Sequence, residues 1–195
     1  MQMKKIILII LAIITLNCKN TVSENENLNI AKQYYKALDD SDGSLMNLLI
    51  ADSLTTHMTE YNYTEVFSKK RYVEDWLKWD SVFNPTYKIL DIVEDNENVK
   101  VKFSKVDERI LFLHHQPIIT IEEITFLNGK LTKIESTYDI FNVEKFSKNV
   151  EDLVNWINDN HPELNGFLHD QTKSGGIKYL KAIELYKKST HTKAL

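Results

Sequence analysis

The chain has 195 residues, of which 43% are hydrophobic and 27% charged, ordinary values for one globular domain with an apolar core. With only five glycines and three prolines, it is neither collagen-like nor of low complexity. The formal net charge of −4 provides no basic excess for binding phosphate backbones, so nucleic acid is not an expected partner.

The first 17 residues have the pattern of a secretory signal peptide. Lys4 and Lys5 precede an apolar run from Ile6 to Leu16 that only Thr15 interrupts. A helix of that length rises about 16 Å, which is too short for the ~30 Å hydrocarbon core of a bilayer. The segment 1–17 is therefore interpreted as an export signal rather than as a membrane span.

Cys18, the only cysteine of the chain, follows this segment directly. Its position resembles the lipobox of bacterial lipoproteins, with Thr15 and Asn17 at places where that motif usually has Leu and a small residue. The resemblance implies that Cys18 is acylated and becomes the first mature residue. The protein would then lie in the bacterial cell envelope, attached to a membrane by its N-terminal lipid. The polar segment 18–28 is predicted to be a flexible tether.

Three helices are predicted after the tether. Ile30, Tyr34 and Leu38 recur at a spacing of four, which places them on one face of the first helix. Leucines in the segment 45–49 indicate a short second helix. Ser68 is a suitable N-cap for a third helix, in which apolar residues again recur at helical spacing.

About four antiparallel strands are predicted between Pro85 and Tyr138. The segment 99–103 alternates apolar and polar residues, which is typical of a half-buried strand. Pro117 lies inside a long apolar stretch and is expected to cause a bend, a bulge or an edge, because proline donates no hydrogen bond to a sheet. Asn128-Gly129 predicts a tight hairpin turn.

Helical spacing returns in residues 143–195, with a loop predicted at Ser174-Gly175-Gly176. This order of elements predicts the α+β class. Three N-terminal helices would pack against a curved antiparallel sheet and form a cone with an apolar pocket. The domain is expected to span residues 29–142, and residues 143–195 are expected to form a C-terminal helical extension packed on it.

Two stretches of the sequence carry a resemblance to a known superfamily. The first runs from Gln33-Tyr34-Tyr35 to Thr55, and the second runs from Ile124 to Leu131 and on to Tyr138-Asp139. They look like the opening helix pair and the penultimate hairpin of the nuclear transport factor two-like superfamily. Its members include SnoaL-like polyketide cyclases and ketosteroid isomerases. The resemblance covers about residues 28–142 and implies the cone-shaped fold.

The resemblance also implies candidate catalytic residues. Ketosteroid isomerases use a tyrosine of the first helix and a neutral carboxylic acid as an oxyanion hole, with a second carboxylate as base. Tyr34 matches the tyrosine and Glu122 matches the acid. The position of the base falls near Met58, which cannot take a proton, and a shift by one residue would place His57 there. The ligand pocket of the cone is expected to include Tyr35, Trp76, Phe103, Ile124 and Phe126.

No metal or cofactor is expected. His114 and His115 are adjacent on a predicted strand and would point to opposite faces, and the sequence has no metal-binding histidine motif. The leading hypothesis is a non-catalytic envelope lipoprotein that binds a small apolar ligand or a protein partner. The alternative is an isomerase, dehydratase or cyclase that uses Tyr34, His57 and Glu122. A homodimer through the open sheet face is a further possibility, unless the C-terminal helices cover that face.

Overall fold

A computed structural model describes residues 24–192, so the predicted signal peptide, Cys18 and the start of the tether lie outside the described residues. Six helices and six strands make up this part of the chain. In chain order they are α1 (Glu24–Asp39), α2 (Gly43–Leu49), β1 (Ile50–Met58), β2 (Tyr63–Ser68), α3 (Lys69–Ser81), β3 (Thr86–Asp95), β4 (Asn98–Val106), α4 (Glu108–Leu113), β5 (Ile118–Leu127), β6 (Lys130–Ile140), α5 (Val143–Asn160) and α6 (Lys173–Thr192). Short 3₁₀ turns cover Thr59–Tyr61 and Pro162–Leu164.

The strands form one sheet in the order β2-β1-β6-β5-β4-β3. Neighbouring strands are antiparallel except β1 and β6, which run parallel. The predicted α+β class and the packing of N-terminal helices against a curved sheet are confirmed. The prediction of about four strands, all antiparallel, becomes six strands with one parallel pair, because residues 50–68, for which no strand was predicted, form β1 and β2.

The main core lies between α1 and the inner face of the sheet. Ala31, Tyr35 and Leu38 of α1 are buried against strand residues such as Val101 and Ile124. The predicted helical face of α1 is therefore correct, although the helix begins at Glu24 and includes the last residues of the predicted tether. Burial of apolar side chains such as these is the dominant favourable contribution to folding.

Local signals of the sequence placed several element ends correctly. The Ser68 hydroxyl accepts a hydrogen bond from the Arg71 backbone N–H at 3.2 Å and caps α3. Asn128 and Gly129 both have positive φ, as the tight β5–β6 turn requires. Strand β5 begins directly after Pro117, so the long apolar stretch divides there into α4 and β5.

The C-terminal helices build a second apolar cluster. Leu153 and Ile157 of α5 and Tyr179 of α6 pack with Trp79 at the end of α3 and with Leu113 of α4. The extension therefore packs on helices and does not cover the open face of the sheet. That open face carries charged pairs instead, including Lys102 with Asp139 at 2.7 Å.

The segment 174–176 is helical, which corrects the predicted loop. Gly175 and Gly176 lie in the first turn of α6. A Cβ on Gly175 would lie only 1.9 Å from the backbone oxygen of Asp170. Glycine is therefore needed here for close approach of two backbone segments and not for a turn.

No helix in the range 24–192 is both long and apolar enough to cross a membrane.

Candidate functional site

A cavity of about 550 Å³ lies between α1, α3 and the inner face of the sheet. Its walls are mainly aromatic, with Tyr34, Phe67, Tyr72, Trp76, Tyr87 and Phe103 contributing. The cavity is partly open to solvent at one end. This size and this lining are typical of small-molecule sites, which are concave and mostly apolar with a few polar groups.

A π-helical segment places two of these aromatic residues. The middle of α3, Tyr72–Trp76, winds more widely than the α-helical turns on either side. Such segments are uncommon and occur frequently at functional sites. The rings of Tyr72 and Trp76 stack with centroids 4.7 Å apart. The Tyr72 hydroxyl lies 2.6 Å from that of Tyr34, so one donates to the other and the second proton is free to reach a ligand.

Glu122 of β5 is one of two acidic residues at the cavity wall, the other being Glu65 of β2, which pairs with Arg71. The Oε2 of Glu122 accepts a hydrogen bond from the Tyr35 hydroxyl at 2.5 Å, and its Oε1 accepts one from the Ser136 hydroxyl at 3.0 Å. Burial raises the pKa of this carboxyl, while the two hydrogen bonds and the charge of Lys105 oppose that rise. The net direction is upward, so the neutral acid is favoured at a higher pH than in an exposed glutamate.

A cluster of buried charges forms another part of the wall. Lys105 forms an ion pair with Asp80, whose other oxygen accepts from the Tyr87 hydroxyl at 2.8 Å. Arg109 contacts Oδ2 of Asp107 at 3.3 Å, and Lys105 lies 3.8 Å from the same oxygen. Lys105 and Arg109 line the cavity, while the two carboxylates lie behind them.

The three predicted catalytic residues, Tyr34, His57 and Glu122, all border the cavity, but the strand register does not turn all three side chains toward one point. Tyr34 and Glu122 both line the cavity, but the hydroxyl bonded to Glu122 belongs to Tyr35. In the sheet Met58 pairs with Ser136, the neighbour of Glu122, whereas His57 pairs with Glu135 on the opposite face. The His57 ring is hydrogen-bonded to the Thr64 hydroxyl at 2.9 Å. Successive strand residues face opposite sides, so this register directs the His57 ring away from Glu122. The role of His57 as a base stays a prediction.

Two of the five predicted pocket residues line the cavity, namely Trp76 and Phe103. Tyr35 is almost fully buried behind the wall, where it supports Glu122 and packs on Phe103. Ile124 is fully buried under α1 and Phe126 packs against the same core. The prediction fails for these two residues because they share the face of Glu122 but lie further along β5, beyond the cavity.

Sequence reasoning did not identify Tyr72, Lys105 or Arg109 as site residues. Tyr72 was recognised only as part of an apolar helical face, and the widened turn that carries it has no clear sequence signal. Lys105 and Arg109 flank Asp107, which caps α4 through the Ile110 backbone N–H at 2.5 Å. The sequence indicates this cap. It does not indicate that Lys105 contacts both Asp107 and Asp80 of α3, because that contact depends on tertiary packing.

The C-terminal extension contributes to the cavity wall. Phe146 and Ser147 of α5 and Gln171 of the segment before α6 line it. The extension is thus part of the site as well as a second core.

The buried histidine of the chain is structural. His114 donates from Nδ1 to the Gln116 carbonyl at 2.9 Å, and its Nε2 accepts from the Asn142 backbone N–H at 2.8 Å. Both ring nitrogens are therefore occupied in the neutral imidazole. Within residues 24–192, no group of three or more His, Cys, Asp or Glu side chains is arranged to hold a metal ion.

A wider groove of about 690 Å³ lies on the surface between α2 and α3. Two of its three lysines have ion-pair partners, since Lys69 pairs with Asp52 and Lys78 with Glu74. The aromatic cavity is the better candidate site because it combines buried polar groups with apolar walls.

Comparisons with known proteins identify the fold. No family model and no curated protein matches the sequence. Among solved structures, a protein proposed to be a ketosteroid isomerase from Kribbella flavida aligns with 60% of this chain and 81% of its own, at 8% identity and a TM-score of 0.50. An NTF2-like protein of unknown function from Mesorhizobium loti aligns with 60% of this chain and 93% of its own, also at 8% identity and a TM-score of 0.50. The chain therefore has the NTF2-like fold, NTF2 being nuclear transport factor 2.

Proposed function

We propose that this protein binds a small, largely apolar molecule in the cone cavity and that a lipid on Cys18 holds it in the bacterial cell envelope. The observation that carries the proposal is the aromatic cavity of about 550 Å³ between α1, α3 and the sheet. It lies within the range of about 300–1,000 Å³ that is usual for small-molecule sites.

Binding is favoured over catalysis because a second proton-transferring group is missing at the expected place. Met58 occupies the sheet position beside Ser136 and Glu122, and its thioether cannot act as a base. His57, the residue predicted for this role, is directed to the other side of the sheet by its register and is hydrogen-bonded to Thr64. Most polar groups of the wall are instead bonded to one another, which suits a preformed binding site.

The binding proposal is tested by identifying what purifies with the protein. The full chain, as cells process it, is purified in lipid nanodiscs, extracted with solvent and analysed by mass spectrometry against empty nanodiscs. We expect an enriched apolar compound. Met58→Trp, which fills the cavity, should abolish the enrichment, and Thr137→Trp on the exposed sheet face is the matched control. Equal extracts from both variants would contradict the proposal.

A second candidate function is an isomerase, dehydratase or cyclase, and Glu122 is the observation that favours it. A carboxyl with a raised pKa beside the Tyr34 and Tyr72 hydroxyls can move a proton while they stabilise a developing oxyanion. In an isomerisation, Glu122 would take a proton from the α-carbon of an unsaturated ketone and return it at the γ-carbon. Turnover of a β,γ-unsaturated ketone, followed by absorbance of the conjugated product, should then be lost in Glu122→Gln.

The location and the anchor are tested separately. Metabolic labelling with a clickable fatty acid should label the wild-type chain and not Cys18→Ala, and the label should fractionate with envelope membranes. A label that persists in Cys18→Ala would contradict acylation at this residue.

Self-association through the open sheet face stays a prediction. Light scattering on the purified chain tests it, and Lys102→Glu should weaken a dimer that uses the charged pairs of that face.

A further inference from the structure

The charge cluster of the cavity wall is arranged with its cations toward the cavity. The side chains of Lys105 and Arg109 are 14% and 18% exposed, whereas those of their partners Asp80 and Asp107 are 1% and 0% exposed. The formal charges of the four groups cancel. A molecule inside the cavity nevertheless meets the positive groups first, since only these two line it.

The carboxylates of the cluster are fully hydrogen-bonded, whereas its cations are not. All four carboxylate oxygens have donors: Asp80 accepts from Lys105 and Tyr87, and Asp107 accepts from Arg109 and the backbone N–H of Ile110. The cations keep donors in reserve, because an ammonium carries three N–H groups and a guanidinium five. The Nε of Arg109 is buried and has no partner among the described residues. The buried Arg109 Nε is therefore a donor that the cluster itself leaves without an acceptor.

Packing holds both cations at fixed positions. The Arg109 guanidinium lies 4.9 Å from the centre of the Trp79 ring and 5.4 Å from that of Phe83. The Lys105 ammonium lies 4.8 Å from the centre of the Tyr87 ring. Because Lys105 and Arg109 also contact the same Asp107 oxygen, a single carboxylate can reach both. Fixed, partly desolvated donors of this kind bind an anion more strongly than mobile surface cations do.

The rest of the cavity defines the other end of such a ligand. Beyond the cations the walls are the rings of Tyr34, Phe67, Tyr72 and Phe103, which favour an apolar body. Two carboxyl groups also border the cavity, and both have partners: Glu122 accepts hydrogen bonds from Tyr35 and Ser136, and Glu65 pairs with Arg71. Ser147 and Gln171, at the same cavity, are neutral hydrogen-bonding groups.

We propose that the ligand of the cone cavity is an apolar molecule with one carboxylate, which Lys105 and Arg109 bind while the aromatic walls enclose its hydrocarbon part. This inference rests on the proposed ligand-binding function and adds the chemical class of the ligand.

The test compares two probes that differ in the head group. Decanoate and decan-1-ol are titrated at pH 8 by calorimetry into the full chain in lipid nanodiscs, and titrations into empty nanodiscs are subtracted. We expect decanoate to bind at least tenfold more tightly than decan-1-ol. Arg109→Gln should remove about tenfold of decanoate affinity and change decan-1-ol affinity less than twofold, because it removes a charge-assisted hydrogen bond.

Two further variants test whether the preference for decanoate depends on the positive charge at position 109. Arg109→Lys should restore part of the preference for decanoate, and Lys133→Gln, which removes a cation from the opposite sheet face, should leave it unchanged. If Arg109→Gln fails to fold, the comparison of the two probes on the wild-type chain still decides. Equal affinity for both probes would overturn the carboxylate inference alone, whereas failure of both to bind would also contradict the proposed function.

Discussion

The buried carboxyl of Glu122 gives this protein a specific dependence of stability on pH. Burial is the largest influence on its pKa and raises it, while hydrogen bonds from Tyr35 and Ser136 and the charge of Lys105 act in the opposite direction. In the unfolded chain the same carboxyl titrates near its ordinary value of about 4.3. The folded chain therefore holds the proton of Glu122 to a higher pH than the unfolded chain does.

The sign of the effect follows from linkage between protonation and folding. The stabilisation from protonated Glu122 is complete below the unfolded pKa and is lost as pH rises through the raised folded pKa. One group changes the free energy of unfolding by at most about 1.4 kcal/mol per pH unit within that window. Glu122→Gln has a side chain of nearly the same shape that does not titrate. The difference in the free energy of unfolding between wild type and variant should therefore change with pH by up to about 1.4 kcal/mol per pH unit.

The measurement is urea unfolding followed by tryptophan fluorescence between pH 4 and pH 8, on a chain that begins at residue 19. Glu123→Gln is the matched control, since it removes an exposed carboxylate from the opposite face of the same strand. We expect the wild type to lose stability relative to Glu122→Gln as pH rises from about 4. Parallel curves, or a relative gain in wild-type stability over that range, would refute the reasoning.

Three further changes test the packing. Leu131→Ala, at a fully buried position, should lower the free energy of unfolding by about 2–5 kcal/mol in urea denaturation. Lys105→Met should lower the free energy of unfolding by about 3–5 kcal/mol, because it leaves the buried Asp80 carboxylate without its cation. Adding Asp80→Asn should restore most of that loss, and a double variant as unstable as Lys105→Met would contradict the pairing. Gly175→Ala should lower the melting temperature, because the new methyl group would collide with the backbone of Asp170. Alanine alone favours a helix by about 1 kcal/mol over glycine, so a higher melting temperature would show that the two backbone segments are not in close contact.

The parts of the fold that were predictable have strong local signals. The face of α1 follows from a helical repeat, and the β5–β6 turn follows from Asn128-Gly129. Strands β1 and β2 were missed because only Ile50, Leu54 and Phe67 of their residues are buried, so the pattern of alternation is weak. Both lie on one side of the sheet, and β2 is an edge strand, where polar residues are tolerated.

The site was predictable only in outline. The resemblance to isomerases led to Tyr34, His57 and Glu122, which all border one cavity, but it did not distinguish Tyr34 from Tyr35 as the partner of Glu122. Adjacent residues of a helix differ by about 100° in direction, so one residue of offset changes the assignment. The pairing of Asp80 with Lys105 joins α3 to β4 and has no local sequence signal.

The parallel pairing of β1 with β6 has a consequence for biosynthesis. Strand β1 ends at Met58 and its lateral partner begins at Lys130, so the ribosome must add about seventy residues before the two can meet. At roughly 5–20 residues per second, this interval lasts on the order of 4–14 s. During it the β1–β2 hairpin is a marginal two-stranded structure that exposes Leu54 and Phe67. A chain that ends within this interval therefore exposes these apolar side chains and leaves one edge of β1 without its partner strand.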